Sequence, residues 1–386
     1  MEGTELLYKY NGIGEKKYRF DTGLKSMIFE IKESVLNWDT IKELLGSIAQ
    51  YKVAYKGMNV PIILLFSHEG IRLYDKLTYM MLECICYSII KEFHTSVQIK
   101  WKPETDIFTL GVSCSPLLLL NNTKHTSVLK FPGKFEKDIY RSHYRRVVNG
   151  RQEKDSNYLG LLCTEVSSFL KFFDISDEYR EEVAEVVAEL VGNACEHTEA
   201  DCLVDIDVTA DHVKQENGKY VEGSYYGINI AIINLSEKLI GDDLKTKVID
   251  RNMVEERYAD VKNAYIIHKA SFQESYGEED FFNIAVFQDK ISGRADKVYS
   301  GGTGLTLLIK TLERQSDTNM CYMQSGNRII YFQEELLDYD KDGWIGFNKN
   351  NTFFKEIPDN ECIGRSRFYL PGTAYNLHFV MKREVE

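Results

Sequence analysis

This chain lacks the segments that mark a secreted, membrane-spanning or disulfide-stapled protein. Its first thirty residues mix Lys, Glu and Tyr and contain no apolar core of the kind a signal peptide needs. No run approaches the roughly 18 apolar residues of a membrane span. The eight cysteines, at 84, 86, 114, 163, 195, 202, 321 and 362, show neither framework spacing nor the pair-of-pairs spacing of a zinc site. Reduced, mostly buried thiols are expected. Internal repeats and low-complexity segments are absent as well. A cytoplasmic protein without membrane contact is the expectation, and 386 residues suffice for two domains.

Positive charge is scarce in one part only. Residues 1–150 carry 21 Lys and Arg against 16 Asp and Glu, whereas the remainder carries 26 against 43. The asymmetry points to two domains with different surfaces. It argues against general nucleic-acid binding by the acidic half, because phosphate backbones require positive charge. The basic, aromatic segment 139–151, with Arg141, Arg145, Arg146, Arg151, Tyr140 and Tyr144, leaves nucleic acid or an acidic partner open for the other half. A solvated linker face, or one docked on the acidic half, is the plainer reading of it.

Hydrophobic spacing predicts an α/β chain. Residues 1–150 read as a small α/β domain, with strands at Ser26–Lys32, Pro61–Phe66, Ser96–Trp101 and Phe108–Ser113, and helices at Trp38–Tyr55 and Tyr74–Phe93. The boundary falls near 125–155, where Pro132-Gly133 opens a different region and Asn149-Gly150 reads as a turn. Residues 151–386 begin with two helices, Tyr158–Phe173 and Ser176–His197, the second capped by Ser176. Strands follow at Cys202–Thr209 and Tyr226–Leu235, then a long polar insertion at about 236–300. A helix at Thr303–Arg314, strands near Asn319–Gln324 and Arg328–Phe332, and a last strand at Ala374–Met381 complete the chain. Helices first and strands after predict a two-layer α/β sandwich rather than a doubly wound sheet.

Three features carry chemistry. The segment Glu189–His197 reads E-L-V-G-N-A-C-E-H, so Glu189, Asn193 and His197 recur at i, i+4 and i+8 on one helix face. The same helix has a separate apolar stripe in Val183, Val186, Val187, Leu190 and Val191 for the core. A carboxylate can polarise a water, and an amide oxygen is a hard ligand suited to Mg²⁺. Second, Gly301, Gly302, Thr303, Gly304 and Leu305 precede an apolar helix, where free backbone N–H groups can hold an anion. This turn is neither a P-loop nor a dinucleotide fingerprint, since it lacks the Lys-Ser/Thr pair and no strand leads directly into it. Third, Pro371-Gly372-Thr373 stands at the start of the final strand.

In that order, the three features resemble the GHKL ATPase superfamily, which groups gyrase, chaperone, histidine-kinase and MutL-type ATP-binding domains. The helix pair before Asn193 is most similar to that of anti-sigma-factor serine kinases and sensor histidine kinases. The resemblance covers about residues 155–386. It implies the ATP-binding fold of that superfamily, with ATP and Mg²⁺ as cofactors. Asn193 would coordinate Mg²⁺, Glu189 would be the general base, and His197 would lie near the phosphates or the lid. Gly302 and Gly304 would give backbone contacts to the phosphates, within a turn that includes Gly301, Thr303 and Leu305. Thr373 would assist adenine recognition, and Ser292–Ser300 would belong to a mobile lid bearing Arg294 and Lys297.

The sequence departs from the superfamily where an Asp-x-Gly-x-Gly box is expected. There Asn234 stands for the Asp, and the two glycines are absent. An amide oxygen also accepts a hydrogen bond, but adenine selectivity is weakened, and a degenerate site that binds without turnover stays open. The resemblance implies a Mg²⁺-dependent ATPase acting as a nucleotide-gated switch. The alternatives are a serine protein kinase of the anti-sigma type and a non-catalytic nucleotide-binding scaffold. His68 stands in the wrong setting for a phosphoacceptor, next to a strand rather than on a helical hairpin. A homodimer, and a protein partner for the N-terminal domain, are further expectations.

Overall fold

The computed structural model describes residues 1–383 apart from 13, 15, 58, 69, 102–113, 122–124, 152–157, 217–218, 252–254, 292–303 and 316–320. The expected strand at Phe108–Ser113, the lid at Ser292–Ser300 and the turn residues Gly301, Gly302 and Thr303 lie outside the described residues.

In chain order the first part contains α1 (Thr4–Asn11), β1 (Tyr18–Asp21), β2 (Ser26–Ile31), β3 (Val35–Leu36), α2 (Trp38–Ala54), β4 (Ile62–Phe66) and β5 (Arg72–Leu73). It continues with α3 (Lys76–Lys91), β6 (Val97–Lys100), α4 (Leu117–Leu120) and α5 (His125–Glu136). Strands β2, β4 and β6 are parallel neighbours, with β1 antiparallel at the edge. Parallel neighbours need crossover helices, which α2 and α3 supply. Both helices have coded starts. The Asn37 side chain accepts from the Thr40 N–H at 3.0 Å, and Asp75 forms a capping box with Thr78.

The second sheet has six strands, all antiparallel. It is built from β7 (Lys137–Tyr140), β8 (His143–Val148), β9 (Cys202–His212), β12 (Tyr225–Asn234), β13 (Tyr322–Tyr331) and β14 (Ile363–Lys382). Its order is β13-β14-β12-β9-β8-β7. Helices α6 (Tyr158–Leu170) and α7 (Asp177–Thr198) come between β8 and β9, and the short hairpin β10 (Gln215–Glu216) and β11 (Lys219–Tyr220) follows β9. The stretch expected as one polar insertion is largely helical: α8 (Asp242–Lys245), a π-helical turn at Thr246–Asp250, α9 (Glu256–Lys269) and α10 (Glu278–Ala285). Its charges conceal a helical apolar spacing, since Tyr258, Val261, Ala264 and Tyr265 are all buried in the core. Helix α11 (Gly304–Gln315) precedes β13.

Both faces of the six-stranded sheet are covered, which departs from the expected two layers. Strand β12 is buried along its whole length. Its alternate residues Ile228, Ile230 and Ile232 pack on α6, α7 and α11, while Ala231, Ile233 and Leu235 share a second core with α1, α2 and α3. From β14, Phe368 stacks on Trp38 of α2 with ring centroids 4.8 Å apart. A near-continuous apolar run, here interrupted by the buried Asn229, rather than a polar alternation, is what a doubly covered strand requires.

The basic segment is a hairpin rather than a linker. Strands β7 and β8 pair with each other and β8 pairs with β9. Three of its four arginines are held by carboxylates of the same chain: Arg145 by Glu83 and Asp205, Arg146 by Glu165, and Arg151 by Glu2. Tyr144 is buried and its hydroxyl donates to Glu165 at 3.0 Å.

Arg145 belongs to a buried charge cluster that joins α3 to this sheet. Lys76 of α3 lies 2.5 Å from Asp205 and 2.9 Å from Asp207 of β9. Arg145 lies 2.6 Å from Glu83 of α3, and His143 donates to Asp205 at 2.8 Å. Burial pushes the Asp205 carboxyl up, but Arg145, Lys76 and His143 outweigh it and hold Asp205 well below the usual range. Burial likewise lowers the His143 imidazolium, yet Asp205 and Asp138 prevail and the net direction is upward. A raised folded pKa stabilises the protein below the ordinary value of about 6.5, and that stability is lost as pH rises through the folded value. The urea midpoint is therefore expected to fall as pH is raised above neutrality, and His143→Gln is expected to flatten that decline. An unchanged pH profile in the variant would remove His143 from the account.

Candidate functional site

Helix α7 starts as the sequence predicts. The Ser176 hydroxyl accepts from the Tyr179 N–H at 3.4 Å, and Asp177 and Glu178 occupy the first turn, where negative charge suits the helix dipole. Val183, Val186, Val187, Leu190 and Val191 are fully buried against the sheet. The outward face carries Glu185 and Glu189, both exposed and one turn apart. Asn193 follows one turn later, half-buried. Its side chain makes no hydrogen bond among the described residues. At Gly192 an added Cβ would lie 2.8 Å from Leu159, so this position lets α6 approach α7 closely. The side chain of His197 lies outside the described residues.

Helix α11 packs Leu308, Ile309 and Leu312 into the core, with Leu305 partly buried beside them. Its opening residue is Gly304. Glu189 of α7 and the first two turns of α11 line one groove of about 540 Å³, shared with Cys163, Glu185, Asp289, Thr306 and Lys310. A second groove, of about 720 Å³, lies beside it and shares Asp289, Thr306 and Lys310. Between them, Thr306 donates to the Asp289 carboxylate at 3.4 Å. Sequence reading missed Thr306, Lys310 and Asp289. The available signal was the i, i+4 spacing of Thr306 and Lys310 just after the glycine turn.

Asn234 and Thr373 are also brought together. They are register partners on β12 and β14, and Thr373 is in turn the partner of Ser325 on β13. The Thr373 hydroxyl lies 3.2 Å from that of Ser325. Pro371–Thr373 does not begin a strand. It sits inside β14, where the pairing with β13 shifts register. Gly372 has φ +97°, and an added Cβ would lie 2.3 Å from the Asn234 carbonyl oxygen, so the kink requires glycine.

The Asn234 side chain is buried and engaged. Its amide donates to the carbonyls of Asp201 at 3.1 Å and Ala200 at 3.4 Å, and its oxygen lies 3.3 Å from the Thr198 hydroxyl. It pins the turn from α7 to β9. Asn234→Ala is expected to cost about 1–3 kcal/mol in urea unfolding, because buried partners lose their bonds. A side chain kept only to meet a ligand would leave the unfolding midpoint where it was.

No family model, curated protein or solved structure matches this chain. Among the described residues, no group of three or more His, Cys, Asp or Glu side chains is arranged to hold a metal ion, and no helix is long and apolar enough to cross a membrane. None of the eight cysteines is in a disulfide; Cys114 and Cys163 are half-buried and the rest buried. The groove thus gathers Glu189 with Thr306, Lys310 and Asp289, whereas Asn193, one turn beyond Glu189 on α7, and Asn234 and Thr373 are not among the residues that line it.

Proposed function

We propose that the chain binds Mg²⁺-ATP between α7 and α11 and hydrolyses it, acting as a nucleotide-gated switch of the GHKL type. One observation carries this reading: Glu189 and the first turns of α11 line a single groove. Its volume is within the range of about 300–1,000 Å³ usual for small-ligand sites. The donor set fits the ligand. Asn193 offers a free amide oxygen of the kind Mg²⁺ accepts, and the N–H groups at the start of α11 suit an anion. A bound Mg²⁺ would supply charge neutralisation at the phosphates. Glu189 is exposed and has no hydrogen-bond or ion-pair partner among the described residues, so its carboxylate is free to take a proton from water. Thr373 remains the residue for base contact, with Asn234 behind it holding the turn. Such a Thr contact alone gives weak selectivity for adenine.

A second reading, phosphoryl transfer to a serine of a partner protein, is favoured by the larger groove, which opens onto the same turn of α11 and leaves space for an acceptor segment. Both readings predict ATP binding, and they differ in where the phosphate goes. In a turnover assay the wild type is expected to release phosphate. Glu189→Ala is expected to lower that rate by about 10²–10⁴-fold, the usual contribution of a general base, while ATP still binds. Transfer of labelled γ-phosphate to a co-purifying protein, without free phosphate, would replace hydrolysis by the kinase reading. Absence of ATP binding by the wild type would remove both.

A further inference from the structure

Across the Glu189 groove, two carboxylates of α7 face a lysine of α11 without pairing with it. On α7, Glu185 and Glu189 stand one turn apart, and on α11 Thr306 and Lys310 do the same. Neither glutamate is ion-paired among the described residues, and the Lys310 ammonium is not either. The helices are near enough for such a bond, since Arg314, one turn further along α11, is paired with Glu182 of α7. Asp289 adds a third carboxylate to the same groove. Among the described residues, Lys310 is the one basic side chain that lines it. Lys290 and Lys341 line only the neighbouring groove, whereas Lys310 lines both.

Three carboxylates around a groove repel a polyphosphate unless a cation stands among them. We propose that Lys310 is the positioning residue for the terminal phosphate of the bound nucleotide, reaching into the groove from α11 opposite Glu185 and Glu189. A lysine suits the task because its ammonium is a compact charge on a flexible stem with three donors. Its place beside Thr306, among the residues that the two grooves share, puts that charge at their junction. This inference rests on the nucleotide reading above.

The test is calorimetric titration of the full chain with Mg²⁺-ATP and Mg²⁺-ADP, for wild type, Lys310→Met and Lys310→Arg. Lys310 is exposed, so neither variant removes a core contact. Lys310→Met is expected to weaken Mg²⁺-ATP by about 10- to 100-fold, the usual loss for a hydrogen bond to a charged group, and to reduce the preference for ATP over ADP. Lys310→Arg is expected to recover most of the affinity. Equal ATP affinity in wild type and Lys310→Met overturns the role of Lys310 and leaves the nucleotide reading standing, and so does an equal loss for ATP and ADP. A wild type that binds neither nucleotide overturns the nucleotide reading itself, and this inference with it.

Discussion

Lys76→Met is expected to destabilise the protein by about 3–5 kcal/mol, the usual consequence of leaving buried charges without their partner. Lys76 is almost fully buried and holds two carboxylates, Asp205 and Asp207, that lie two residues apart on one face of β9. Without its ammonium, burial and mutual repulsion act on both acids together. Burial and the Asp205 charge already push the Asp207 carboxyl up. Against a total stability of about 5–15 kcal/mol, such a loss is a large fraction. Lys76→Met combined with Asp207→Asn is expected to recover part of it, because the double variant removes the repulsion as well as the attraction. Urea unfolding of the single and double variants gives the coupling directly. An unchanged midpoint in Lys76→Met would mean that the cluster does not join α3 to the sheet.

The largest expected effect belongs to a truncation. A polypeptide of residues 151–386 lacks β7 and β8, so β9 loses one of its two hydrogen-bonded neighbours and becomes an edge strand. It also lacks α1, α2 and α3, which cover Ala231, Ile233, Leu235, Phe368, Leu370 and Ala374. Both the apolar face and the acids of β9 would then meet water. Such a piece is expected to be insoluble, or to unfold without a cooperative transition, as followed by circular dichroism against urea. A soluble fragment with a sharp transition would contradict the packing described above.

How much of this was legible in the sequence varies with the range of the interaction. Local signals served well. Ser176 marks a helix start, and the apolar spacing of α2, α3 and α7 places those helices within a few residues. The groove between α7 and α11 was approached through Glu189 alone. Long-range pairing was not legible. Arg145 reads as one of several solvated arginines, because nothing nearby in the sequence names Glu83 or Asp205 as its partners. Pro371 and Gly372 read as a strand boundary, since a kink inside a long strand uses the same residues as a turn. The strands expected near Asn319–Gln324 and Arg328–Phe332 are likewise parts of one strand, β13, which runs through Gly326 at φ +61°. Asn234 shows a further limit. Its position on the strand was readable, but its bonds to Thr198, Ala200 and Asp201 depend on where α7 ends relative to β12.

The most direct measurement is a crystal structure of the full chain grown with Mg²⁺ and a non-hydrolysable ATP analogue. The account predicts density for the triphosphate between α7 and the start of α11, with Asn193 on the metal, Glu189 facing the terminal phosphate, and the base near Thr373. Analogue bound elsewhere on the molecule, or an empty groove at saturating analogue, would contradict it.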